Sequence, residues 1–314
     1  MLLCLIALWA CGGDDLAEEA PTVTPGATIP VREPTELELP IRVAVTLPLF
    51  EDFVRAAGRE NVEVISVVSS GASPHDYEPP ANSEPGLSRP RFFFYNGLGL
   101  DSRVVEAVEE NVDDETFVVP FAPNIRSPRG TELGNPDLTA EQAGDNAHLW
   151  LDPVLAYLYV EVVADEFTIY DGVRQGFYND NFAAYRDEMV QLRDELSAEI
   201  EKIPQAKRKL VTFHNSFEHF ARRFGLDASG FAVAQPGEAP DAAAIDTLVG
   251  KIQAEGIPAV FAENGYDRSV MEEIASRSGV DVCTLSSDIL PAGVDTYAEM
   301  MRRNVAEMVR CLGG

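Results

Sequence analysis

The chain has 314 residues, 46% of them hydrophobic, enough to bury one large core or two cores in lobes of ordinary domain size. Its 52 acidic residues against 24 basic ones give a formal net charge of -28. Such a surface repels phosphate, which argues against nucleic acid and anionic membrane surfaces as partners and leaves most of the carboxylates as solvating charge.

The chain opens with "MLLCLIALWACGGDD", an apolar stretch too short to span a bilayer that ends in small residues and a cysteine, as an export signal does. The order Leu8-Trp9-Ala10-Cys11 resembles a bacterial lipoprotein signal, which implies cleavage before Cys11 and a lipid on its thiol. It departs from that pattern in the bulk of Trp9 and in having no Lys or Arg ahead of the apolar run. Residues 12–40, rich in Pro, Gly and acid, cannot pack and are expected to form a flexible tether.

After the tether, short apolar runs alternate with amphipathic ones. "IRVAVTL" (41–47), "NVEVISVV" (61–68), "RFFFYNG" (91–97) and "TFVVPF" (116–121) read as strands, with helices over "PLFEDFVRAAG" and from about Asp101 to Glu110. A looser polar segment, 122–147, leads to "HLWLDP". The region from Pro153 to about Ile203 reads as helices, including a long amphipathic one over 181–203. From Lys209 the alternation resumes through strands "KLVTF", "GFAVA", "PAVFAE" and "VDVCTL" with helices between them and a closing helix over "DTYAEMMRRNVAEMVRCL". The expected fold is α/β: two lobes, each a mainly parallel sheet flanked by helices, joined by a long rigid helix. The expected boundaries are 1–11 for the signal, 12–40 for the tether, 41–155 for the N-terminal lobe, 156–206 for the helical linker and 207–314 for the C-terminal lobe.

There are four histidines: His75, His148, His214 and His219. The first three stand at or beside the carboxyl ends of predicted strands, where parallel sheets bind ligands. Three imidazoles converging there suggest a metal, and the loop after "VDVCTL" offers Asp288 as a fourth donor, with Ser287 beside it. The four lie roughly 70 residues apart along the chain, too far for a local finger or ribbon, so tertiary structure must assemble them from both lobes.

The chain is similar, nearly end to end after the tether, to the solute-binding proteins that feed zinc or manganese to bacterial ABC importers. The motifs that carry the likeness are "GASPHDYEPP", "YNGLGLD" (95–101), "HLWLDP" (148–153), "VTFHNSFEHFARRFGL" (211–226) and "YAEMMRRNVAEM" (297–308). The resemblance implies His75, His148, His214 and Asp288 as the metal ligands, the same four reached from the strand ends. Three neutral imidazoles and a carboxylate suit a borderline-soft divalent ion in a closed tetrahedral site. Within the family, histidine rather than carboxylate at the third position favours Zn2+, with Mn2+ the alternative. The segment 122–147 holds no histidine, so auxiliary metal capture is not expected there.

Other residues carry two readings. Glu263 in "FAENGYD" either hydrogen-bonds a ligating histidine or is a solvated loop carboxylate, and His219 is expected to pack rather than ligate. Pro74 and Pro79 stiffen the loop around His75, and Asp152 is expected to cap the helix that starts at Pro153. Cys283 and Cys311 either form a disulfide, as export allows, or pack as buried thiols. The chain lacks a His-Glu-x-x-His helix, a Ser-His-Asp order and a glycine-rich phosphate loop, so an enzyme is not expected. The expected function is that of an exported periplasmic or cell-surface carrier, held to the membrane by its lipid only. It captures metal as a monomer and hands it to an importer permease with its ATPase. A manganese carrier and a surface adhesin are the alternatives, with a zinc metallohydrolase behind them.

Overall fold

A computed structural model describes residues 39–77, 89–112, 114–125 and 146–313. The expected export signal, Cys11, the tether up to residue 38, Pro79 and most of the looser segment, 126–145, lie outside the described residues.

β1 (Ile41–Val45) runs into α1 (Pro48–Gly58), whose proline starts the helix at its first turn, and then into β2 (Val62–Ser66). β3 (Phe92–Tyr95), α2 (Ser102–Glu109) and β4 (Phe117–Pro120) complete a parallel sheet of order β2-β1-β3-β4. A short turn of helix, α3 (Phe121–Asn124), follows where the strand was expected to continue to Phe121. Two helices come next, α4 (Pro153–Tyr170) and α5 (Gln175–Ile200). The second sheet is built from β5 (Lys209–His214), α6 (Glu218–Phe224), β6 (Asp227–Val233), α7 (Ala242–Glu255), β7 (Ala259–Glu263), α8 (Ser269–Ser278) and β8 (Asp281–Leu285), with α9 (Tyr297–Leu312) closing the chain. Its order is β6-β5-β7-β8, again parallel. In both sheets the order reverses beside the first strand, between β1 and β3 and between β5 and β7. The carboxyl ends at such reversals open a crevice between diverging connections.

The long helix begins at Gln175, six residues before the expected start, and ends at Ile200. Its buried residues Tyr178, Phe182, Tyr185, Met189, Leu192, Leu196 and Ile200 fall three or four apart, so one stripe faces the core along its whole length of about 39 Å. Almost every side of α4 is apolar and buried, down to Phe167, which makes it the central helix of the core.

The "HLWL" segment, expected beside a strand, forms a tight 3-10 turn over Leu149–Leu151 instead. The reason lies just downstream: Asp152 accepts a hydrogen bond from the Val154 amide at 2.9 Å and caps α4, so the preceding residues serve as a helix lead-in with no strand to pair with.

The core divides at the second sheet rather than between the sheets. Leu210, Phe261, Cys283 and Leu285 on one face join the large cluster around α4, α5 and β1–β4. Val211, Phe213, Val260 and Ala262 on the other face pack with α7 and α8. Period-two alternation along each strand produces that division. The Cys283 and Cys311 sulfurs are joined, with Cα atoms 6.6 Å apart, which links β8 to α9.

Candidate metal centre

Each of the four expected ligands reaches the crevice by a different local device. His214 is the last residue of β5, at the reversal point of the second sheet. His75 stands in the loop after β2, where its amide donates to the Ser73 hydroxyl and the Tyr77 hydroxyl reaches back to the Val67 carbonyl at 2.9 Å. Among the described residues of that loop, the Tyr77 bond ties its far end back to the end of β2.

His148 follows Ala147, whose carbonyl accepts from the Asn96 amide nitrogen at 3.0 Å. Asn96 comes directly after β3, and the buried Asp101 carboxylate accepts from the backbone amides of Asn96 and Gly97. The "YNGLGLD" segment thus anchors the stretch that presents His148.

Asp288 sits in the loop after β8. Asn304 of α9 holds Ser286 in both directions, its oxygen accepting from the Ser286 amide and its nitrogen donating to the Ser286 carbonyl, each at 2.8 Å. The Tyr266 hydroxyl donates to Asp288 Oδ2 at 2.6 Å. Gly265, at φ 86°, lets its loop pass close by, since a Cβ there would collide with Ile289.

One ligand atom from each of His75, His148, His214 and Asp288 lies within 4.8 Å of all the others. The Nε2 atoms of His148 and His214 are 3.0 Å apart. Asp288 oxygens lie 3.5 Å from His75 Nε2, 3.3 Å from His148 Nε2 and 3.6 Å from His214 Nε2. The edges of a tetrahedron around zinc measure about 3.3 Å for bonds of about 2.0–2.1 Å, close to the separations of His148 Nε2 from His214 Nε2 and from Asp288 Oδ1, while the distances of 3.5 and 3.6 Å run to Asp288 Oδ2. His75 Nε2 and Asp288 Oδ1 are buried without a hydrogen-bond partner. Buried polar atoms are normally paired, and four donors aimed at one point leave them for a cation.

The hydrogen-bond network also decides which nitrogens carry protons. Asn146 donates its amide nitrogen to the Asn215 carbonyl, which can only accept, so its oxygen faces His148. That oxygen accepts from the His148 backbone amide at 3.0 Å and lies 3.1 Å from Nδ1, which must therefore be the protonated nitrogen. Glu263 Oε2 lies 3.2 Å from His214 Nδ1, outside hydrogen-bond geometry but near enough for its charge to favour a proton there. The two Nε2 atoms face each other at a distance that a shared proton or a cation between them would fill.

Glu263 is only 3% exposed, which sets aside the solvated reading. Besides approaching the His214 ring, it accepts from the His214 amide and the Ser216 hydroxyl. Burial opposes its ionisation, but the His214 charge and hydrogen bonds hold its carboxyl below the usual range. Burial likewise lowers His214, but the Glu263 and Asp288 carboxylates together more than offset it, so the imidazole is raised above 6.5. His148 has no such carboxylate behind it, and burial pushes it down to about 4 against the pull of Asp288. Burial alone would raise Asp288, yet the three imidazoles keep it well below 3.8.

His219 is buried outside this group, its Nε2 3.1 Å from the Asn146 carbonyl. Sequence reasoning passed over Asn146, Trp150 and Tyr266. Trp150 is fully buried and donates its indole N–H to the Ser287 carbonyl at 3.0 Å. A tryptophan two residues after a ligand candidate was a usable signal, because a buried indole needs an acceptor.

The family described as ZnuA, zinc-uptake complex component A, periplasmic, matches residues 43–311. The chain belongs to that family. It is 27% identical over 274 residues to the manganese-binding lipoprotein MntA of Halalkalibacterium halodurans, covering 86% of this chain and 87% of that one. It is 24% identical over 284 residues to the metal ABC transporter substrate-binding lipoprotein FimA of Streptococcus parasanguinis, covering 87% and 89%. The periplasmic zinc binding protein TroA from Treponema pallidum superposes with a TM-score of 0.76 at 22% identity, over 87% of this chain and 99% of that one, so the two share a fold. As a ZnuA-family protein, the chain is the substrate-binding component of a metal ABC importer. Among the described residues no helix is long and apolar enough to cross a membrane.

Proposed function

We propose that His75, His148, His214 and Asp288 are the ligands of a transported divalent metal, and that the metal is zinc. The observation that carries the reading is the approach of the His148 and His214 Nε2 atoms to 3.0 Å, with the Asn146 oxygen behind one ring and the Glu263 carboxylate behind the other. Two lone pairs at that distance repel unless a proton or a cation lies between them. A cleft of about 460 Å³, lined by His75, His148, His214, Asn146 and Glu218, supplies the route from solvent.

Three imidazoles and a carboxylate at tetrahedral spacing favour zinc over manganese, which prefers more oxygen donors. Manganese is the second reading, favoured by the likeness to the manganese-binding lipoprotein MntA. Four protein donors filling a tetrahedron leave no position for an activated water, which favours a carrier over a metallohydrolase. In this reading the chain is exported, held at the periplasmic or cell-surface side by a lipid on Cys11, and acts as a monomer. It delivers its cargo to the permease and ATPase of the importer, and the backing of His214 by Glu263 is part of the site. The adhesin alternative rests on the tether alone, and removing the metal site separates the two: adhesion would survive and transport would not.

The test is to assay bound metal in protein purified without added ions and to compete zinc against manganese. Zinc retained and preferred supports the assignment. Preference for manganese overturns the choice of ion, and failure to bind either overturns the ligand set.

A further inference from the structure

We propose that Asn146 is the positioning residue that fixes the tautomer of His148 and thereby sets how tightly the centre holds its metal; the proposal rests on the ligand set proposed above. Asn146 stands behind the His148 ring, on the side away from His214. Its amide nitrogen donates to the Asn215 carbonyl at 2.8 Å, one residue beyond His214. Its oxygen accepts from the His148 amide and faces His148 Nδ1 at 3.1 Å. Its own carbonyl faces His219 Nε2, and the next carbonyl, of Ala147, is held by Asn96. The side chain therefore refers the His148 ring to the backbone that carries His214, and its orientation is dictated from both sides.

The two histidines differ in what stands behind them. His214 is backed by the Glu263 carboxylate and His148 by the neutral Asn146 carboxamide. A partner behind a ligating imidazole orients the ring and raises its donor strength, and a carboxylate does so more than an amide. His148 is thus the weaker donor of the pair, held in the right tautomer without added charge. A carrier that must release its cargo gains from one donor of that kind.

Asn146→Leu keeps the volume and removes both functions. The His148 Nδ1–H would be buried without an acceptor, which favours the tautomer with the proton on the ligating Nε2. Asn146→Asp keeps an acceptor on Nδ1 and adds charge, and it gives up the bonds that the amide nitrogen makes to the Asn215 carbonyl and the Glu218 carboxylate. The experiment measures zinc affinity by chelator competition and the His148 tautomer by nitrogen-15 imidazole NMR of the metal-free protein, with His148→Ala as the reference.

The expected result is a loss of about 10–100-fold in N146L, with the proton moved to Nε2, and affinity at or above the original in N146D with the proton kept on Nδ1. A merely structural role would not move the tautomer. The proposal is overturned if His148 of the unaltered protein carries its proton on Nε2, or if N146L binds normally while H148A does not. Should N146L not fold, N146D decides, and a weaker affinity there overturns the proposal. Unchanged affinity in H148A overturns the ligand set, and this proposal with it.

Discussion

Trp150 and Ser287 are joined by an indole N–H to carbonyl hydrogen bond of 3.0 Å, which ties the segment carrying His148 to the loop carrying Asp288. The two residues are 137 positions apart in the chain. Trp150→Phe keeps an aromatic but smaller ring in this fully buried position and leaves the Ser287 carbonyl buried and unpaired. The expected cost is about 1–3 kcal/mol of folding stability by denaturant titration, together with weaker zinc binding. Unchanged values in both would mean that the bond does not hold the two segments together.

His214→Ala is expected to lower zinc affinity by at least about 100-fold in a competition titration. It also strips Glu263 of one partner, so stability should fall by about 1–3 kcal/mol. Adding Glu263→Gln neutralises the buried carboxylate and should recover stability but not affinity. Joint recovery of both would contradict the ligand role of His214.

Acid should weaken binding in two stages, because metal must displace protons from the imidazoles. His214 titrates above 6.5, so below its raised value affinity should drop by about tenfold per pH unit. His148, lowered to about 4, adds a second displaced proton only near that pH. Folding of the metal-free protein responds differently. The stability contributed by His214 is present below its unfolded value and lost as pH rises through its raised folded value. That of His148 is present above 6.5 and lost as pH falls toward about 4. Calorimetric titration across this range, with proton release measured in two buffers, checks the slopes. A flat affinity from neutral pH down to about 5 would refute the His214 assignment.

The Cys283–Cys311 bridge closes a loop with a sequence separation of 28. Replacing both cysteines by alanine should cost about 3–4 kcal/mol on the chain-entropy account. Asn304 holds Ser286 independently of the bridge, so zinc affinity should stay within about twofold. Thermal unfolding and competition titration of the double variant test both parts.

Metal binding is expected to move the two sheets little. Arg223 of α6 reaches both Asp152 oxygens at 2.8 Å, the Tyr297 amide of α9 donates to Asp52 of α1 at 2.8 Å, and the Trp150 bond adds a third tie. These contacts cross between the part built on the first sheet and the part built on the second, and α5 packs along α9. The radius of gyration in solution scattering should change by less than about 1 Å on adding zinc. A larger closure would show that the ties break.

Hydrophobic pattern was enough to read most strands and helices, because β5 and β7 are short runs buried on both faces and α5 repeats every three or four residues. It failed at "HLWL", where a run of that length has no period of its own and the downstream cap at Asp152 decides the backbone. The carboxyl ends of strands also led to His214 and to the loops carrying His75 and Asp288, since parallel topology puts those ends on one side of each sheet.

What the sequence determined by itself was the α/β alternation, the family and the four residues worth bringing together, because these rest on local pattern and motif order. What only the tertiary structure decided was the division of the core through the second sheet, the bridge between Cys283 and Cys311, and the partners that aim each donor. Asn146 faces His148 because Asn215 claims its amide nitrogen, and Tyr266 reaches Asp288 because Gly265 lets its loop pass Ile289. Hydrogen bonds act over about 3 Å and are indifferent to separation along the chain, so no local reading of residues could have found those pairings.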